Sequence, residues 1–388
     1  MARTRLHALT VTLVTLVLLA VASAASASTW HRISAAGQSN TSQVSLLRNA
    51  DGSLTAIGLF KTVGSGVGGA DIVRIPISSK GLPGVSQTLL SSNDWGILEN
   101  PAVIRQADRS LVVFGGLSSA GADSLWTYDL DTAALTQYGS SGGGPTSSAS
   151  GTSAAATATG GFAAWSGTFG IGTLTLGNTA ATPSSLPLTG CCAYNQNFAA
   201  LGGGGVWVGY DSNENDATGR WFQQVDPTTG SAVGARVKVP KTSVGGEFSF
   251  PVESRVPIAV VGTTAYTAWA QGYPSTPRIG LWQLGATKAK LFSPGYTVGA
   301  VGVAATPTGA LWVYWTQKTT GVVYAMRTNK ARTNWANSPI TVGRPNASLE
   351  TVYKLVGDAS RADGKLDLVA AMAHYAGSPT WYHVLVKP

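Results

Sequence analysis

Charge is scarce in this 388-residue sequence, where Asp, Glu, Lys and Arg together make up 11%. A nucleic-acid-binding surface concentrates Lys and Arg on one face. Here the net charge of +8 is scattered, with no dense basic cluster, and that reading is set aside. Histidine is scarcer still, and after the first 27 residues only His31, His374 and His383 remain. No two of them have H-x-x-x-H spacing, and the two cysteines lack C-x-x-C spacing, so nothing resembles a zinc site. No Gly-rich loop opens a helix and hardly any segment repeats apolar residues every 3.6 positions, which removes Rossmann and P-loop chemistry.

The one apolar run is at the start. Arg3 and Arg5 precede Ala8 to Ala22, followed by two A-x-A sites, Ala22-Ser23-Ala24 and Ala25-Ser26-Ala27. This order is that of a secretory signal peptide, expected over residues 1–27. An uncleaved anchor is the alternative, but the run is short for a membrane span. The mature chain, residues 28–388, is expected to be secreted, extracellular and monomeric, with no membrane insertion after cleavage.

About 360 residues would ordinarily suggest two domains. Repetition argues for one. Strands rich in aliphatic and aromatic residues recur seven times, about 44 to 59 residues apart, close to propeller periods. They are 54–60, 111–116, 162–169, 206–210, 265–271, 311–316 and 366–372, each preceded by a turn rich in Gly or Asp. The unit at 303–342 reads as four short antiparallel strands, which is one propeller blade. The last unit stops at a third strand, 380–388, while 29–34 is a strand without a blade. The fold expected is therefore all-β, a seven-bladed β-propeller closed by an N-terminal strand. A right-handed β-helix is the alternative, with shorter and more regular rungs.

Two segments resemble the sialidase-like propellers that carry BNR, or Asp-box, repeats. Residues 99–114 look like the first strand, turn and second strand of such a blade. In Thr328 to Trp335 those two residues stand at the ends of an S-x-D-x-G-x-T-W pattern, with Lys330, Arg332 and Asn334 replacing its Asp, Gly and Thr. The resemblance implies a propeller and, more distantly, glycoside chemistry. Val73-Arg74-Ile75-Pro76 is similar to the family's R-I-P motif but falls in a third strand. Glu253 leads into a strand as the family's nucleophile-activating Glu does, yet the arginine expected after the next strand is absent.

Ligands of propellers meet the face built by loops leading into first strands and joining second to third strands. Here that face would carry Trp95, Asn100, Cys191, Cys192, Tyr194, Arg255, Tyr273, Tyr353 and His374. Aromatics beside carboxylates and amides suit a carbohydrate, because sugar faces stack on rings while hydroxyls take paired hydrogen bonds. The same aromatics could instead pack between blades. Glycoside hydrolysis needs two carboxyl groups roughly 5–5.5 or 6.5–9.5 Å apart. Glu99 and Glu253, each opening a first strand, are the candidate pair.

Cys191 and Cys192 are adjacent in a chain that reads as exported, where thiols oxidise. Neighbouring Cα atoms are about 3.8 Å apart, less than the roughly 4.4–6.8 Å that disulfides prefer. A vicinal bond would be strained, and such strain concentrates at functional sites. Two free thiols or an intermolecular bridge are the alternatives. Asp211, Asn213 and Asn215 open a D-x-N-x-N run that suits calcium, although Asp216 replaces its Gly and Phe222 its closing Glu. Residues 357–369 resemble an FG-GAP calcium motif with one residue too many. No other cofactor is expected.

Three functions follow: a secreted propeller binding carbohydrate or another extracellular or cell-surface polymer, a glycoside hydrolase or lyase, or a non-catalytic protein-interaction scaffold.

Overall fold

A computed structural model describes residues 29–35, 38–39, 43–62, 70–98, 100–106, 108–118, 123–138, 152–157, 160–167, 170–176, 179–180, 184–187, 193–212, 218–242, 255–348, 351–373 and 379–388. The described elements are all strands, and they fall into seven antiparallel sheets. Sheet one runs outward through Ser45–Arg48, Leu54–Thr62, Ala70–Ile77 and Gln87–Leu90. Sheet two holds Ala102–Gln106, Arg109–Ser118, Asp123–Asp129 and Leu135–Tyr138; sheet three holds Thr152–Thr157, Gly160–Gly167, Gly170–Thr175 and Ser184–Pro187. Sheet four comprises Ala193–Ala200, Val206–Ser212, Gly219–Val225 and Ala232–Lys238; sheet five comprises Ile258–Val261, Thr264–Gln271, Arg278–Gln283 and Lys290–Phe292. Sheet six is Val298–Ala305, Leu311–Gln317, Val323–Arg327 and Ile340–Gly343. Sheet seven joins Thr351–Asp358, Leu366–Ala373 and Thr380–Val386 to His31–Arg32 from the start of the chain.

The first strands of successive sheets touch in chain order, and Thr351–Asp358 touches Ser45–Arg48 in turn. The molecule is an all-β β-propeller, its inner strands surrounding an axis. Apolar side chains fill the wedge between each pair of neighbouring sheets. Ile57, Ile72, Val103 and Phe114 join sheets one and two, and Phe222, Trp269 and Trp282 join sheets four and five. Val356, Val369 and Trp381 of sheet seven pack on Leu54, Ala56 and Val73 of sheet one. Both faces of these strands are covered, so the second strands are rich in apolar residues; Leu366–Ala373 is buried at every position, Asp367 included.

Two local details show how close the fit is. Tyr314 lies across Gly302 and Gly357 of the neighbouring inner strands, and a Cβ added at Gly302 would overlap its ring. In the turn from Thr328 to Trp335, Asn329 Oδ1 accepts the backbone N–H groups of Thr333 and Asn334 at 2.9 and 3.3 Å. Arg332 takes the glycine position of the Asp-box pattern with φ 60°, and Thr328 pairs with Trp335. The capping side chain is therefore Asn329, one residue before the Lys330 that sequence alignment put in the Asp position. Val73 to Pro76 lies within Ala70–Ile77, a third strand, as its sequence position suggested.

Candidate functional site

The segment Arg255 to Pro257 leads into the inner strand of sheet five, and its polar groups reach four other sheets. Val256 N donates to Asn195 O at 2.7 Å, and Asn197 Nδ2 donates to Val256 O at 2.9 Å. Arg255 N donates to Gln43 Oε1 at 2.6 Å, just ahead of the first strand of sheet one. The Arg255 guanidinium crosses to sheets two and three. Nη2 donates to Pro101 O at 2.7 Å and Thr152 O at 2.6 Å, and Nε donates to Thr152 O at 3.2 Å. Arginine suits this bridging position because its planar fork fixes several acceptors at once.

A cavity of about 370 Å³ adjoins this segment, within the range of small-molecule sites. Its walls come from Val44 to Leu46, Asn197, Val298 to Val303 and Leu355 to Asp358, with Tyr314 and Lys318 contributed by sheet six. The inner-strand residues present small or apolar walls, while Gln43, Asn197, Arg255 and Lys318 supply polar groups.

The lining charges differ in how they are compensated. Arg220 is buried and forked on Asp211, with Nε to Oδ1 at 2.8 Å and Nη2 to Oδ2 at 3.2 Å; its Nη1 donates to Ala268 O of sheet five at 2.9 Å. Asp358 accepts from Arg48 Nε at 3.0 Å. Arg255 has only oxygens of neutral groups as partners, and its Nη1 makes no hydrogen bond to a described residue. Burial lowers its pKa to about 10, which leaves it charged at neutral pH. Lys318 forms no ion pair among the described residues. Close to the Arg255 bridge, Asn100 Oδ1, Thr152 Oγ1 and Ser153 Oγ are buried without hydrogen-bond partners. Burial pushes the Tyr314 hydroxyl well above its ordinary pKa, so it stays protonated.

The residues singled out in the sequence meet different fates. Asn100 sits beside the bridge, its backbone oxygen accepting Thr152 N at 3.0 Å. Tyr273 is 56% exposed and joined to the cavity-lining Pro274 by a cis peptide. Tyr194 is 37% exposed at the start of the strand that carries Asn195 and Asn197. Trp95 does not line the cavity; it packs edge-on against Phe114 and Trp126, with ring centroids 5.3 and 5.0 Å away. Asp211 is buried inside Val206–Ser212, one oxygen on Arg220 Nε and the other on Arg220 Nη2 and Asn195 Nδ2. Among the described residues no group of three or more His, Cys, Asp or Glu is placed to hold a metal ion. In the FG-GAP-like stretch Asp358 and Asp367 hold Arg48, and Asp363 holds Arg361 and Lys365. Glu99, Cys191, Cys192, Asn213, Asn215, Glu253 and His374 lie outside the described residues, as do the signal segment and the Tyr353 side chain.

Gln43, Asn197 and Lys318 escaped the sequence reading. Each is a lone polar residue without a motif, and only the closing of the sheets brings it to the axis.

No family model matches the chain, and no curated protein matches it. Its fold is similar to that of a protein of unknown function from Dyadobacter fermentans, at 11% identity over 92% of this chain and 99% of that one, with TM-score 0.51. It is also similar to hydrazine synthase from Kuenenia stuttgartiensis, at 10% identity over 87% and 94% of the two chains, with TM-score 0.51. An endo-arabinase from Bacteroides thetaiotaomicron aligns at 11% identity over 93% and 98%, with TM-score 0.40. At these identities the likeness is one of fold.

Proposed function

We propose that this protein binds carbohydrate at the axial cavity beside Arg255. The observation that carries the reading is an exposed aromatic, Tyr273, next in sequence to the cavity-lining Pro274, beside a cavity whose polar groups are mainly hydrogen-bond donors and amides. A sugar ring stacks on such an aromatic face, and its hydroxyls match Gln43, Asn197 and the Nη1 of Arg255, which has no acceptor among the described residues. A glycan array probed alongside a panel of chromogenic glycosides tests it. Binding without turnover is the expected result; neither binding nor turnover overturns it.

A hydrolase is the second reading, favoured by one relationship. Glu99 and Glu253 lie two positions before Pro101 and Arg255, and those two residues are hydrogen-bonded to each other across the axis. Turnover of any glycoside that is abolished by both Glu99→Gln and Glu253→Gln would establish it.

Four further points belong to the same proposal. The ring is seven-bladed and closed by His31–Arg32, supported by the pairing of His31 with His383 and by contact between the first and last inner strands. Residues 1–27 direct export, supported by their charge, apolar run and A-x-A sites. Cys191 and Cys192 form a vicinal disulfide, supported by their adjacency and by oxidation outside the cell. The mature chain acts as a monomer at an extracellular or cell-surface polymer.

A further inference from the structure

Among the described residues, the charges lining the axial cavity leave an excess of one sign. Arg220 is neutralised by Asp211, and Asp358, the one carboxylate among the described lining residues, is neutralised by Arg48. Arg255 and Lys318 line the same cavity and have no carboxylate partner among the described residues. A guanidinium removed from water normally acquires an anionic partner, because desolvating an uncompensated charge is costly. The Arg255 guanidinium is held instead by the carbonyl oxygens of Pro101 and Thr152, and its backbone N–H by Gln43 Oε1, which orient it without cancelling its charge. Its Nη1, with two N–H groups, is left without an acceptor among the described residues. A rigidly positioned cation with spare donors, and a second cation on a flexible stem, make a preorganised seat for an oxyanion.

We infer that the cavity selects an acidic saccharide, one whose carboxylate or sulfate is received by Arg255 and Lys318. The inference rests on the carbohydrate reading above and narrows its ligand class. Neutral sugars would fill the same space but would leave the part-buried Arg255 guanidinium without an anion and the exposed Lys318 unused, and that difference is the source of selectivity.

Titration calorimetry on the full mature chain tests it with four probes: a galacturonate tetrasaccharide, the corresponding neutral galactose oligomer, a sulfated galactose oligomer, and citrate as an acid without a sugar. The expected result is that an acidic saccharide binds about tenfold or more tightly than the neutral one, by the strength of hydrogen bonds to charged groups. The preference should shrink as ionic strength rises. Comparison of the galacturonate and sulfated probes identifies which oxyanion is used. Lys318→Ala should remove most of the preference while leaving the melting temperature unchanged, since its side chain makes no ion pair among the described residues. Arg255→Lys keeps a positive charge if the bridge proves essential to folding, and is expected to weaken acidic binding by a larger factor than neutral binding. Equal affinity for neutral and acidic saccharides overturns the inference and leaves the carbohydrate reading standing. Citrate binding as tightly as galacturonate keeps the anion seat and overturns the saccharide reading. Failure of every probe overturns both.

Discussion

His383 and Asp367 face each other from neighbouring strands of sheet seven, Nε2 to Oδ1 at 2.8 Å, with both residues fully buried. Nδ1 of the same imidazole lies 3.0 Å from Gly81 O of sheet one's outer turn. Arg48 completes the cluster by bridging Asp367 and Asp358. A charged network therefore ties the first and last sheets together beneath their apolar wedge.

This network gives the fold an acid limit. Burial raises the Asp367 pKa, but His383 and Arg48 outweigh it and hold the carboxyl below its ordinary range. A depressed folded-state pKa contributes stability above the unfolded value of about 3.9, and that contribution is lost as pH falls through the folded one. Urea unfolding should show stability dropping below pH 4. In Asp367→Asn, which costs about 3–5 kcal/mol at neutral pH by leaving Arg48 and His383 short of a partner, the drop should be shallower. An equal acid slope in both proteins would assign it to other carboxylates.

Gly302 should be intolerant of even one methyl group. Its Cα hydrogen faces the ring of Tyr314, and alanine there would push that ring into the axial cavity or against Gly357. Overpacking of this kind costs typically about 1–3 kcal/mol. Gly302→Ala is expected to lower the melting temperature, and adding Tyr314→Leu should recover part of the loss. If the double variant is no more stable than the single one, the ring is not the obstacle.

Arg332 combines a cost and a gain. Its φ of 60° is a left-handed conformation, unfavourable for a non-glycine residue by roughly 1–2 kcal/mol. Against that, Nε donates to Tyr266 Oη at 2.7 Å and Nη1 to Gly309 O at 2.8 Å, joining sheets five and six. Arg332→Ala keeps the backbone cost and loses the bonds, whereas Arg332→Gly loses both. Thermal melts should rank wild type above glycine or close to it, with alanine lowest.

Calcium should not stabilise the protein through Asp211. Both of its oxygens already accept from Arg220 and Asn195, so a cation would have to displace a buried guanidinium. Ligands that bind only the folded state raise its melting temperature. Millimolar calcium is therefore expected to leave the melt unchanged; a clear upward shift would mean that Asn213 and Asn215 recruit the ion without Asp211.

The sequence made the strands legible because the second strands are rich in aliphatic and aromatic residues and follow turns rich in Gly or Asp. The segment expected at 311–316 is Leu311–Gln317, and that expected at 366–372 is Leu366–Ala373. The site was less legible, for two physical reasons. Aromatic residues serve both wedges and ligands, so Trp95, which packs on Phe114 and Trp126, could not be told from Tyr273, which stands in solvent. Arg255, which the sequence placed on the ligand face among several other residues, matters through what it lacks. Only spatial neighbours reveal that, among the described residues, no carboxylate answers it. Asp211 is the converse case: nothing local announced that Arg220, nine residues on, would saturate it.

The strand His31–Arg32 runs antiparallel to Thr380–Val386, with His31 opposite His383 and Arg32 opposite Tyr382. In that register the backbone approaches His31 and departs beyond His383 at one corner of the sheet. Tension applied between residue 30 and residue 386 would therefore unzip these two strands pair by pair instead of shearing them. A covalent clasp across that corner is expected to raise the force needed to part the two strands.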